Sequence, residues 1–272
     1  MRLVLLGVRG ATPAPGAEFV RYGGHTSCVA VVPDGGDVPT LVLDAGTGLR
    51  ELTPRLGGAA FRGSILVSHL HWDHVQGLPF FAAGDRPDAE VALHVPAQDG
   101  RSGRDLLATS MAPPSFPITP DGLQGSWEFR TVEEGEQLVE GFHVRAAEVA
   151  HKGGRTFGYR VSDEQGSIAY VPDHVISAGV GERVRDLLDG VDVLLHDAQF
   201  VESERRWADA YAHSTVEDAV ALARECGVRR LVLFHHGPAR TDDALDAIAE
   251  SYAGDRLVSV ARQGDELVVP SP

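Results

Sequence analysis

Cysteine is almost missing from this sequence: Cys28 and Cys226 are the whole supply in 272 residues. Two thiols build neither a disulfide framework nor a four-cysteine zinc ribbon, and each has apolar or small neighbours. Both therefore read as small buried hydrophobes. Long apolar runs are missing too. Nothing approaches the roughly 18 residues that cross a bilayer. The apolar stretch at the N-terminus is too short for a signal peptide, and no small-residue cleavage site follows it. The expectation is a cytoplasmic protein with no membrane partner. Positive charge is also scarce: 24 Lys and Arg stand against 39 Asp and Glu, a formal net charge of −15. The electrostatic term that drives most nucleic-acid binding has the wrong sign on such a surface. A long RNA or DNA partner is not expected, whereas a local pocket for a small phosphate ester is compatible with this balance. The composition leaves a homodimer open.

What is present is ordinary globular material, 43% apolar and 23% charged, enough for a sizeable core. There is no repeat, low-complexity tract or linker, so residues 1–272 read as one domain. Strands are expected at 3–8, 28–32, 40–43, 64–68, 91–95, 128–131, 143–149, 157–161 and 167–171, with a turn at 33–37. The four-proline segment 111–124 reads as a surface loop and a candidate lid. The C-terminal third changes character. Ser214-Thr215-Val216-Glu217 has the form of a capping box with Ser214 at the cap. Val216, Ala219, Val220 and Ala223 then recur at helical spacing until Gly227. A buried strand is expected at 231–234, and Thr241 opens a helix with Leu245, Ile248, Ala249 and Tyr252 on one face. The economical picture is two β-rich layers inside and helices outside.

Twelve histidines make any single one uninformative. The run His69-Leu70-His71-Trp72-Asp73-His74 is different, because it puts four metal-ligating side chains directly after a strand. In extended backbone, residues two apart point the same way, so His69 and His71 can grip one ion together. Asp73 and His74 come as the chain turns into a helix starting near Val75, aimed at a second point close by. Imidazole and carboxylate suit zinc, iron or manganese. A merely solvated loop would favour Lys, Glu, Ser and Gly.

This His-x-His-x-Asp-His run resembles the metallo-β-lactamase superfamily, an α/β fold built as a four-layer αββα sandwich with metals at one edge of its sheets. The likeness extends along the chain in order. Leu43-Asp44-Ala45-Gly46-Thr47-Gly48 looks like the segment that braces the metal loop. Ala150-His151-Lys152-Gly153-Gly154 is similar to the segment with the third histidine, and Tyr170-Val171-Pro172-Asp173 to the one whose aspartate bridges both metals. Leu231-Val232-Leu233-Phe234-His235-His236 looks like the final strand and last ligand. The resemblance implies one metal held by His69, His71, His151 and Asp173, and another held by Asp73, His74, Asp173 and His235. His235 is preferred to His236 because the ligand usually follows the apolar run at once. The ions implied are two divalent cations, zinc first and manganese as the alternative. His174, next to the bridging aspartate, has no counterpart that explains it.

Two further segments, Val193-Leu194-Leu195-His196-Asp197-Ala198-Gln199-Phe200 and His213-Ser214-Thr215, resemble the phosphodiesterase branch that includes the tRNA 3′-processing endonucleases. In that branch the histidine of His-Ser-Thr faces the metals, which implies His213 as the acid that assists the departing oxygen. Its place before a helix also suggests free N–H groups suited to an anion. His196 and Asp197 would orient that loop. Those endonucleases carry a long arm between the third histidine and the bridging aspartate; here the stretch from His151 to Asp173 holds two strands and a turn. The reading is therefore a binuclear hydrolase acting on a small phosphodiester, cyclic ones included, through metal-activated water, with Asp73 as ligand and proton acceptor and His213 as acid. The glycine-rich segments 7–13 and 21–25 are expected to line the pocket. The alternatives are a lactonase, thioesterase or other ester hydrolase on the same core, an iron-dependent redox enzyme, and a non-catalytic binding protein.

Overall fold

Alternation along the strands decides the layering. In β1 (Arg2–Gly7), Leu3 and Leu5 face one apolar cluster while Val4 and Leu6 face another. A strand buried on both faces has to lie in a sheet covered on both sides. The computed structural model describes residues 1–269, and within them two seven-stranded mixed sheets stack face to face. The first runs β14 (Glu266–Val268), β1, β2 (Cys28–Val32), β3 (Leu41–Leu43), β4 (Arg62–Leu66), β5 (Glu90–Pro96) and β6 (Ser126–Val132). The second runs β13 (Val258–Val260), β12 (Leu231–Phe234), β11 (Val193–Asp197), β10 (Ser167–Val171), β9 (Thr156–Ser162), β8 (Phe142–Val149) and β7 (Gly135–Val139).

Leu3, Leu5, Phe157, Tyr170, Leu195 and Phe234 fill the space between the sheets. The outer face of the first sheet is covered by α1 (Leu52–Arg55), α2 (Trp72–Val75) and α3 (Gly103–Leu107), which contribute Leu52, Val75 and Leu107. The outer face of the second is covered by α4 (Glu182–Leu188), α6 (Val216–Glu225) and α7 (Asp242–Ser251), through Leu187, Val220 and Ile248. A further helix, α5 (Arg205–Tyr211), leads into α6. The result is the αββα sandwich expected. Both cysteines are free and buried. Among the described residues no helix is long and apolar enough to cross a membrane.

Strands β3 to β6 run parallel, as do β10 to β13. Ligand sites in such sheets gather beyond the carboxyl ends of the strands, and there the chain leaves β4, β10, β11 and β12 in loops rich in His and Asp.

Several expectations are corrected. The helix expected near Val75 is the single turn Trp72–Val75, so Asp73 and His74 lie inside it, with His71 at its N-cap. The capping box of α6 is one residue later than expected: Thr215 accepts from the Asp218 N–H, and the Asp218 carboxylate accepts from the Thr215 N–H. Strand β7 was not anticipated. It joins β8 through Glu140-Gly141, both at positive φ (50° and 83°), and Glu-Gly lacks the Asn or Asp that usually signals such a turn. The short edge strands β13 and β14 were also missed, because three residues are too few to show a period.

Candidate metal centre

The carboxylate of Asp173 organises the site. It follows β10 by one residue beyond Pro172 and is buried at 2% exposure. Its two oxygens face two separate groups of donors. Oδ2 lies 3.6 Å from His69 Nε2 and 3.4 Å from His151 Nε2. Oδ1 lies 3.2 Å from His74 Nε2 and 3.1 Å from His235 Nε2. His71 joins the first group through Nδ1, 3.4 Å from His151 Nε2. Asp73 Oδ2 joins the second, 3.2 Å from both His74 Nε2 and His235 Nε2. Donor atoms about 2.0–2.1 Å from a tetrahedral zinc stand about 3.3 Å apart, and these separations bracket that value.

Polar atoms without partners give the same answer. His69 Nε2, His74 Nε2 and Asp173 Oδ1 are buried and make no hydrogen bond among the described residues. Each is turned towards the centre of its group, a costly arrangement unless a cation completes it. Charge adds a second argument. Asp44, Asp73, Asp173 and Asp197 are all buried, and among the described residues their ion-pair partners are histidines, not lysine or arginine. The donor set is that of a divalent metal centre.

Protonation tendencies fit this assignment. Burial, with neighbouring imidazoles, pushes His69, His71 and His151 below the ordinary histidine value, so their lone pairs stay available. Burial works against charge at Asp73, yet His74 and His235 hold its carboxyl well below the usual range. Burial likewise opposes the proton on His74, but Asp73, Asp44 and Asp173 outweigh it and raise the ring. That excess of negative charge is what a metal ion would neutralise in place of the proton.

A second ring of groups aims the donors. His74 Nδ1 donates to Asp44 Oδ2 at 2.6 Å, which also accepts from Tyr170 Oη and Ser68 Oγ. His151 Nδ1 donates to the Ala212 carbonyl at 2.8 Å. Asp73 Oδ2 accepts the Ala11 N–H at 2.7 Å. The roles of Ser68, Tyr170, Ala11 and Ala212 had not been read from the sequence. A serine between a strand and His69, and a tyrosine inside a buried strand, were the only signals. The contacts of Ala11 and Ala212 are made by backbone and leave no residue-type trace.

His213 sits beside both groups, with Nδ1 3.9 Å from Asp173 Oδ2. That nitrogen is already committed: it donates to Asp197 Oδ2 at 2.9 Å. Burial disfavours a charged ring there, but Asp197 outweighs it and pushes His213 up to about 9. Of the N–H groups expected to be free near His213, that of Ser214 is taken by Asp197, that of Thr215 by Asp218 and that of Val216 by the Phe200 carbonyl. His174 now has an account. Its N–H donates to Asp197, its carbonyl accepts from Ser214 Oγ, and its ring meets His196 at 3.1 Å, so it ties the three loops together. His236 turns away from the cluster and bonds the Ala261 carbonyl at 2.9 Å.

A cavity of about 750 Å³ opens over the cluster, walled by Trp72, Phe200, Tyr211 and Arg240 among others. Of the glycine-rich segments expected to line it, only the first reaches it, through Ala11. In the second, Tyr22 is fully buried and Arg21 pairs with Asp243 and Asp246 at the surface. The proline-rich segment lies beside a neighbouring groove, where Phe116 meets Phe80 edge-on at 5.9 Å.

Residues 40–236 match the family described as the beta-lactamase superfamily domain. Ribonuclease Z of Haloarcula marismortui is 26% identical over 325 aligned positions, covering 100% of this chain and 98% of its own. Ribonuclease Z of an Exiguobacterium species is 46% identical over 250 positions, covering 72% of this chain and 78% of its own. Among solved structures, a diphosphatase from the PhnP family superposes with a TM-score of 0.73 at 19% identity, covering 100% of this chain and 99% of that one.

Proposed function

Since the chain belongs to the β-lactamase superfamily and is a metal-dependent hydrolase, we propose that it is a two-zinc phosphodiesterase acting on a small phosphodiester. The observation that carries this reading is the placement of Asp173, whose two oxygens each serve a separate donor group. His69, His71, His151 and Asp173 would hold one ion; Asp73, His74, Asp173 and His235 would hold the other. Ions held there would supply an activated water at neutral pH and neutralise charge on the phosphoryl oxygens.

The chain's own residues do the rest. Asp73, ionised and held by the Ala11 N–H, stands where it can accept a proton from the attacking water. Asp197 fixes the tautomer and orientation of His213. With its value near 9, His213 carries a proton at neutral pH and can deliver it to the departing alkoxide. Such general acid assistance contributes roughly 10²–10⁴-fold. Preference for a small substrate rests on two features. Between His151 and Asp173 the chain forms only β9, a tight turn and β10, with no projecting arm, and the net charge of −15 disfavours a polyanion.

A second reading is cleavage of RNA, favoured by the relatives named ribonuclease Z, one of them 46% identical. The experiment is metal quantification on the purified protein, with turnover of bis(p-nitrophenyl) phosphate and of a precursor tRNA measured side by side. We expect about two zinc ions per chain and efficient turnover of the small ester alone. His71→Ala should lose metal and activity together; full activity in that variant would remove the site from the mechanism. Efficient precursor cleavage would establish the second reading.

A further inference from the structure

Beside His213 the cavity wall is aromatic. Phe200 lies 6.1 Å from the His213 ring and is nearly parallel to Tyr211, with ring centroids 6.4 Å apart at 8°. Tyr211 is in turn nearly parallel to Trp207 at 6.0 Å and 20°. Such distances lie at the far end of offset stacking, so the rings overlap only at their margins. Two cations hold the stack in place: Lys152 Nζ lies 4.8 Å from the Tyr211 centroid, and the Arg206 guanidinium 4.4 Å from that of Trp207. Tyr211 is 50% exposed, and Trp72, contributed to the same cavity by the other sheet, is 72% exposed. Phe200 and Tyr211 therefore present partly exposed aromatic surface to the cavity beside His213.

Resting on the phosphodiesterase reading, we propose that Phe200 and Tyr211 form a stacking subsite for a planar ring carried by the leaving alcohol of the substrate. The position argues for the leaving side, because the stack adjoins His213, the group that protonates the departing oxygen. Lys152, above the ring of Tyr211, favours a ring joined to an anionic phosphate. A nucleobase and a simple aryl group share this chemistry.

The test is titration calorimetry of the zinc-loaded protein with methyl phosphate, phenyl phosphate and adenosine 5′-monophosphate, with tryptophan fluorescence as a second readout. At least one ring-bearing ligand should bind about tenfold tighter than methyl phosphate, the size expected of one stacked ring. A gain for the nucleotide alone assigns the subsite to a nucleobase; a gain for both assigns it to any flat ring. In Tyr211→Ala the ring-to-methyl ratio should fall towards one, and Tyr211→Phe should restore it. If methyl phosphate binds and neither ring improves on it, or if Tyr211→Ala keeps the full ratio, the subsite is overturned while the phosphodiesterase reading stands. If none of the three binds, that reading is itself overturned, and the subsite with it.

Discussion

Gly10 has no side chain, and the centre depends on it. A Cβ there would fall 2.4 Å from the His235 ring, closer than any atom can settle, and His235 itself is held at φ 59° with little room to move. Gly10→Ala should displace His235 from Asp73 and Asp173. The expected result is a fall in bound zinc from about two ions per chain towards one, and a 10–100-fold drop in activity, read by metal analysis beside kinetics. His213 makes a prediction about pH. Its value is raised to about 9 by Asp197 against the opposing effect of burial, so the ring is protonated below that pH and loses its proton as pH rises through it. Hydrolysis of an ester with a poor leaving group should therefore decline along an alkaline limb at or below about pH 9, since nearby cations draw the value down. His213→Ala should keep its metals, turn over slowly and lack that limb.

At the scale of elements, the turn from α5 into α6 separates two jobs that look alike in sequence. Thr215 caps α6, whereas Ser214, one residue earlier, spends its hydroxyl on the His174 carbonyl. Removing the cap, Thr215→Ala, should cost about 1 kcal/mol, a Tm decrease of roughly 2–4 °C for a chain of this size. Ser214→Ala should leave the helix cap in place and instead loosen the His174–Asp197–His213 arrangement. The pair is distinguished by thermal melting and by kinetics on the metal-loaded protein: equal effects of both variants on Tm with none on turnover would refute the division. The expectation of a Ser-to-Glu box at 214–217 failed because Ser214, Thr215, Glu217 and Asp218 supply two overlapping boxes, and tertiary contacts decide which one forms.

For the molecule as a whole, stability should depend on pH and on metal. His94, on β5, is 2% exposed, and neither ring nitrogen has a hydrogen-bond partner among the described residues. Burial, with Arg130 nearby, lowers it to about 4 from 6.5. Between those pH values the unfolded chain holds a proton that the folded chain does not, so stability falls as pH drops below 6.5 and the loss levels off near 4. His94→Leu should reduce the slope of unfolding free energy against pH by up to one proton in that window; an unchanged slope would show that His94 does not contribute. Chelation is expected to lower Tm by several degrees at neutral pH, because it leaves the buried carboxylates of Asp73 and Asp173 among the donors without the cation that would neutralise them.

By itself the sequence determined the layers and the donors. The continuous apolar runs of β1 and β12 dictate strands covered on both faces, and a dense run such as His69 to His74 names its chemistry through residue type and spacing alone. The grouping of donors, the place of Asp173 between them and the choice of His235 over His236 were implied by the family resemblance; the tertiary structure gave them distances and turned His236 to the Ala261 carbonyl. It alone supplied the carbonyl of Ala212, the N–H of Ala11 and the empty place at Gly10. The reason is physical: a side chain's chemistry is local, whereas a centre is made from strand ends far apart in the chain. Their meeting is set by sheet order and by backbone groups that every residue carries.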